Sequence, residues 1–196
     1  VRALAQSMNL ATVRIGLDVG VAKVAKGFAA LGLGREPRAV PAMLLGAVEA
    51  TPLEVAQVYG TLANGGFLTP LRAVRAVVDA RGKPLKAFAL EARAVASAES
   101  VYELDRMLVE VVNRGTGAAA RQRLPPDLVV GGKSGTSSAN RDSWFAGFSG
   151  SHVAVVWVGR DDNQPTRLTG SSGALPVWTG LMAGLGTSSW DAALPE

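Results

Sequence analysis

At 196 residues, with 48% hydrophobic and 18% charged side chains and no cysteine, the chain is long enough to bury one core and too apolar for disorder. Its formal net charge of +4, read as spread along the chain, marks no nucleic-acid face, because a reader of phosphate backbones clusters its cations. Disulfide scaffolds and thiolate metal sites are excluded, and the single histidine finds no second ligand for a metal. The longest apolar runs are broken by proline or glycine and fall short of the roughly 18 residues that a membrane span needs. Opening at Val1, with Leu4-Ala5-Gln6 reading as mid-element, the chain is expected to be the C-terminal part of a longer polypeptide.

In chain order, Val21 to Leu31 spaces its apolar residues helically with Lys23 and Lys26 outward, and Gly32-Leu33-Gly34 ends it. Thr51-Pro52-Leu53-Glu54 is a helix start: threonine caps, proline suits the first helical position and Glu54 completes a capping box. That helix is expected to reach about Asn64, where Gly65-Gly66 stops it. Leu71 to Val78, then Asp79-Ala80-Arg81-Gly82 and a short return, predicts a hairpin. Ser97 to Val112 carries the next helical pattern, with Met107, Leu108, Val111 and Val112 inward and Gly115 as its stop. After the polar, proline-bearing stretch Arg121 to Asp127 the period changes to that of strands. Three follow, at Leu128-Val129-Val130, Ser143 to Phe148 and Val153 to Val158, the last two joined by a tight turn at Gly150-Ser151. Ala174 to Leu185 closes as a helix expected to pack on that sheet. The predicted class is α+β, an antiparallel sheet flanked by helices. Residues 1–120 are expected to be mainly helical with a hairpin, and 121–196 to form a three-stranded meander plus a final helix, all in one domain.

Chemistry concentrates at Gly131-Gly132-Lys133-Ser134-Gly135-Thr136-Ser137-Ser138. A phosphate-binding loop would need its leading glycine where Asp127 stands, and it should open a helix, whereas strand-like sequence follows. Gly115-Thr116-Gly117-Ala118-Ala119-Ala120 matches a loose dinucleotide fingerprint but follows a helix instead of a strand. Kept in a strand, Lys133 to Thr136 puts the Ser134 and Thr136 hydroxyls on one face, roughly 7 Å apart, with Lys133 on the other. Two such donors can hold a carboxylate, and Gly135 leaves room for an extended ligand against the strand edge. A glycine-rich strand entrance with a solvated lysine fits the same residues. Ser7-Met8-Asn9 reads alone as a cap or turn. Beside Lys133, the Ser7 hydroxyl could relay a proton and the Asn9 carboxamide could orient a substrate carbonyl. Plainer roles are expected elsewhere. His152 reads as exposed surface, and Trp144, Phe145, Phe148 and Trp157 as sheet packing. Asp161 and Asp162 with Arg160 and Asn163 read as a polar turn, and Arg141-Asp142 as an exposed pair.

Ser7-Met8-Asn9 followed by Lys133-Ser134-Gly135-Thr136 resembles the S-x-N and K-T/S-G motifs of penicillin-binding proteins and serine β-lactamases. The segments QSMNLATV, VPAMLLGAVEATPLEVAQVYGTLANGG, VVNRGTG, GGKSGTSSANRDSWFAGFSG and VVWVGRDDNQPTRLTGSSGA narrow the likeness. They are similar to the transpeptidase domain of bifunctional class A penicillin-binding proteins of the 1b type. That resemblance implies acyl transfer: a serine attacks the carbonyl between two terminal D-alanines of a peptidoglycan stem peptide, and the acyl group passes to a neighbouring amine. Carried over by motif, Ser7 shuttles a proton to the leaving amine, Lys133 holds Ser7, and Asn9 orients the substrate amide. Ser134, Gly135 and Thr136 bind the terminal carboxylate end, and the Thr136 N–H supplies an oxyanion donor.

Two departures from the family pattern stand out. Ser134 replaces the usual threonine, keeping the hydroxyl and losing a methyl. No Ser-x-x-Lys occurs in the 196 residues, so the nucleophile is expected before Val1 and these residues alone are expected to be inactive. The resemblance implies no metal or organic cofactor. It implies as partners D-Ala-D-Ala stem peptides, β-lactams, an N-terminal glycosyltransferase domain of the parent chain and cell-wall synthesis or division proteins. It places the protein on the periplasmic face of the cytoplasmic membrane, with its anchor outside this sequence. A D,D-carboxypeptidase or β-lactamase-like hydrolase and a non-catalytic peptidoglycan- or partner-binding module are the alternative readings.

Overall fold

The computed structural model describes residues 1–191. A single helical turn, α1 (Arg2–Ala5), leads into α2 (Asn9–Val19) and α3 (Val21–Phe28). The predicted helix from Val21 widens into a π turn over Ala29–Leu33 and ends as Gly32 takes φ +107, backbone that glycine adopts freely. The α2 helix has no counterpart among the predicted elements. Leu10, Ile15, Leu17 and Val19 are all exposed on it, so no inward apolar stripe marks it. Its buried position is Gly16, whose missing side chain admits Leu44.

After a 3-10 turn at Pro41–Leu45 comes α4 (Pro52–Ala63). Its capping box is reciprocal: Glu54 N donates to Thr51 Oγ1 at 3.2 Å, and Thr51 N donates to Glu54 Oε2 at 2.8 Å. Asn64 ends the helix, and both Gly65 and Gly66 follow with positive φ. The hairpin sits inside a longer ribbon. β1 (Phe67–Leu68) pairs with β4 (Arg93–Ala94), and between them β2 (Ala76–Val78) pairs with β3 (Pro84–Ala87). Every residue of β2 and β3 is exposed. Arg72, Arg75, Arg81, Lys83, Lys86 and Arg93 stand on this ribbon against only Asp79 and Glu91. The positive excess is therefore gathered here and not spread along the chain, on a segment with no buried face to exclude charge.

The long helix α5 (Ala98–Arg114) is capped by Ser97, whose hydroxyl accepts from Ser100 N. Leu108, Val111 and Val112 are buried as predicted, Met107 is half-buried, and Asp105 joins the inner stripe at 2% exposure. Three antiparallel strands follow in the order β5 (Gly131–Thr136), β6 (Ser143–Phe148) and β7 (Val153–Val158). The first begins at Gly131 and not at Leu128. Gly131 and Gly132 keep strand geometry because Phe148 and Phe145 lie over them, each with a ring atom within 2.7 Å of where a Cβ would stand. Aromatic cover thus replaces the side chains that glycine lacks, against its usual strand preference.

The last helix, α6 (Ala174–Gly184), packs Leu175, Trp178 and Met182 on the sheet face formed by Phe145, Ala154 and Val156. On the opposite face Phe148 meets Leu62 of α4 and Leu108 of α5. The sheet is thus flanked by helices on both faces, and β5 is its edge strand on the site side.

Candidate active site

Pairing in β5 fixes which way each side chain points. Lys133 stands opposite Ala146 on the α4 side of the sheet, while Ser134 and Thr136 stand opposite Phe145 and Ser143 on the α6 side. Lys133 lines a cleft of about 640 Å³ together with Trp144 and Ala146 of β6 and Val55 and Tyr59 of α4. Its Nζ donates to the Ser7 hydroxyl, 126 positions away in sequence, and to the Ser134 carbonyl at 2.8 Å. Loss of hydration on burial lowers the Lys133 ammonium to about 8.

Ser7 reaches Lys133 from the elbow between α1 and α2. Its backbone is left-handed, φ +50, which is strained for a side-chain-bearing residue and is held by Met8 N donating to Ala3 O at 2.8 Å. The elbow is seated on the end of α5, where Thr116 N donates to Ala5 O at 3.1 Å. A Cβ on Gly115 would collide with that same carbonyl oxygen. Gly115→Ala is therefore expected to push α1 off α5 and to cost roughly 1–3 kcal/mol. In NMR spectra the Ser7 and Met8 amides should shift while α6 resonances stay in place; unchanged elbow resonances would refute the contact's role.

The structure brings Ser7 to Lys133, turns the Ser134 and Thr136 hydroxyls to the other side of the strand, and leaves Asn9 exposed at the first position of α2, in no hydrogen bond to the Lys133–Ser7 pair. The Ser134 Oγ lies 2.6 Å from Thr116 Oγ1, and Gly170 N donates to Thr136 Oγ1 at 2.9 Å. Gly135 is tight against its cross-strand neighbour, since a Cβ there would lie 3.2 Å from Trp144 Cβ. Thr116 and Gly170 come from the end of α5 and the loop before α6, and no spacing rule ties those positions to β5. The available signals are segmental: Thr116 lies within VVNRGTG and Gly170 within VVWVGRDDNQPTRLTGSSGA.

The plainer residues divide. Phe145 and Phe148 are buried packing residues as expected, and His152 is exposed. Trp144 and Trp157 are not purely packing: they pair at 6.2 Å, Trp144 lines the cleft, and Trp157 is 39% exposed. Asp142 does not pair with Arg141. It accepts from Trp157 Nε1 at 2.9 Å, because β6 and β7 bring that indole alongside. Arg160 and Asp162 form an ion pair at 2.7 Å inside a turn closed by Asn163 N donating to Arg160 O. Among the described residues no group of carboxylates and histidine is placed to hold a metal, and no helix is long and apolar enough to cross a membrane.

Residues 1–177 match the family model described as the penicillin binding protein transpeptidase domain. The chain belongs to that family. Among curated proteins it is similar to penicillin-binding protein 1B of Escherichia coli K12, 41% identical over all of this chain and 23% of the relative. Penicillin-binding protein 1B of Vibrio cholerae is 42% identical over 90% of this chain and 23% of the relative. The chain thus spans about a quarter of the length of these relatives. The fold is that of crystallised penicillin-binding protein 1A from Haemophilus influenzae, with a TM-score of 0.90 at 24% identity over 98% of this chain and 35% of that one. It is also that of PonA1 from Mycobacterium tuberculosis in complex with penicillin V, with a TM-score of 0.78 at 23% identity over 100% of this chain and 61% of that one.

Proposed function

We propose that the chain forms one side of a D,D-transpeptidase site that cross-links peptidoglycan stem peptides. The hydrogen bond from Lys133 Nζ to the Ser7 hydroxyl carries this reading, because it joins two motifs 126 residues apart beside a cleft. With Lys133 donating, the Ser7 O–H keeps its own proton, which it can pass to a leaving amine. The ammonium also favours an anionic ligand at the β5 edge. Ser134 and Thr136 supply hydroxyl donors for the terminal carboxylate of a D-alanyl-D-alanine tail, the Thr136 N–H supplies an oxyanion donor, and Asn9 orients the substrate amide. β-Lactams, which carry a carboxylate beside a strained amide, engage the same groups. In the parent polypeptide this unit works beside a glycosyltransferase domain at the periplasmic face of the membrane.

Acylation needs a nucleophile that these residues do not provide in Ser-x-x-Lys form. Labelled penicillin is therefore expected to leave no covalent adduct on residues 1–196 and a stable one on a polypeptide that also carries that motif. A covalent adduct on the 196 residues alone would overturn the assignment of Ser7 as a proton shuttle with the nucleophile elsewhere. Reversible binding of an N-acyl-D-alanyl-D-alanine peptide is expected to weaken as pH rises through about 8, where Lys133 loses its charge. Affinity that is flat from pH 6 to 10 would remove Lys133 from the site.

A further inference from the structure

We infer that Thr116 is a positioning residue, which aims the Ser134 hydroxyl at an incoming carboxylate and stands in for the methyl that serine lacks. The inference rests on the reading of Ser134 and Thr136 as carboxylate donors. Thr116 is clamped from three directions. Its N–H donates to Ala5 O at 3.1 Å, its carbonyl accepts from Ser171 Oγ at 2.8 Å, and its own hydroxyl meets Ser134 Oγ at 2.6 Å. A threonine at Ser134 would be limited in χ1 by its β-branch, whereas serine turns among three staggered wells. Thr116 selects one of them.

Proton accounting gives the pair a direction. A carboxylate only accepts, so each partner at β5 must present a free O–H. At Thr136, the Gly170 N–H can only donate, so Thr136 Oγ1 accepts from it and keeps its proton for a ligand. At Ser134, one proton bridges the two hydroxyl oxygens and the other remains. With a carboxylate seated, the favoured arrangement has Thr116 donating to Ser134 and Ser134 donating outward. Two hydroxyls on one strand face are thus both held as donors by groups from outside the strand.

The test uses the full chain and an N-acyl-D-alanyl-D-alanine peptide, with its C-terminal amide as the control that removes the carboxylate, titrated by NMR at pH 7. Thr116→Val, isosteric but without the hydroxyl, is expected to weaken the acid about fivefold to tenfold and to leave the weaker amide unchanged, as loss of one aligned hydrogen bond predicts. Thr116→Ser should bind as the unsubstituted chain does. Adding Ser134→Thr to Thr116→Val should recover most of the loss, which a purely structural role for Thr116 would not allow. Should Thr116→Val fail to fold, Ser134→Thr alone decides. It should make affinity insensitive to Thr116→Ser and Thr116→Ala, and continued sensitivity would overturn the inference. Equal losses for acid and amide, or no loss with Thr116→Val, also overturn it while the carboxylate reading survives. If the unsubstituted chain does not prefer acid over amide, both fall.

Discussion

Replacing Asp105 with leucine is expected to stabilise the protein by as much as about 4 kcal/mol at pH 8 and by little at pH 4. Asp105 lies on the inner face of α5 at 2% exposure, and its Oδ1 has no hydrogen-bond partner among the described residues. Burial pushes its carboxyl up to about 7, from an ordinary 3.8. The direction follows from linkage. Between pH 4 and 7 the unfolded chain has lost a proton that the folded chain still holds, so folded stability falls by about 1.4 kcal/mol per pH unit and then levels above 7. The Tyr59 phenol, raised by its own burial and by the nearby Asp105 carboxylate, stays neutral throughout this range and offers no compensating charge. Leucine removes the penalty and suits the surrounding Val101 and Leu108. Asparagine should gain less, because its amide brings new donors into the same apolar setting. Urea midpoints for the two chains should coincide near pH 4 and separate progressively to pH 7. A constant offset at every pH would show that Asp105 ionises in the fold as it does in water.

Trp178→Ala should cost about 3–5 kcal/mol, the range for emptying a large aromatic site in a core. Trp178 is fully buried, its ring centroid is 4.8 Å from that of Phe145, and its Nε1 donates to the Ala154 carbonyl at 3.0 Å. The ring also presses on Gly147, where a Cβ would lie 2.8 Å from Trp178 Cζ2. Truncation therefore leaves a cavity and takes the indole hydrogen bond from the Ala154 carbonyl on β7, and it loosens β6, to which the Lys133 strand is bonded. Trp178→Phe, which keeps most of the ring and loses the N–H, should cost less than half as much. Thermal unfolding would report both. A Trp178→Ala loss under 1 kcal/mol would show that α6 does not hold the sheet.

Signals carried by a few neighbouring residues are legible in the sequence alone. Thr51 and Glu54 need only each other and one helical turn to form a capping box, and Leu108, Val111 and Val112 need only the helical period to share a face. Strand position was harder. Gly131 and Gly132 are poor strand formers on their own, and only the rings of Phe145 and Phe148, brought in by β6, make them the start of β5. The α2 helix leaves no such signal for the converse reason, since its apolar side chains face solvent and form no inward stripe.

At the site, the sequence determined which residues are proposed to carry chemistry, a hydroxyl and a carboxamide at Ser7 and Asn9, and an alternation that sends Lys133 one way and Ser134 and Thr136 the other. That much follows from side-chain type and the two-residue strand period. Only the tertiary structure decided that Lys133 turns to Ser7, that Thr116 and Gly170 bond the two hydroxyls, and that Asp105 is buried on the inner face of α5 near Tyr59. Each of those depends on contacts between residues far apart in the chain, set by how α1, α5 and the loop before α6 pack around β5. No local preference specifies such packing, because its energy comes from excluding water and pairing polar groups across the whole domain.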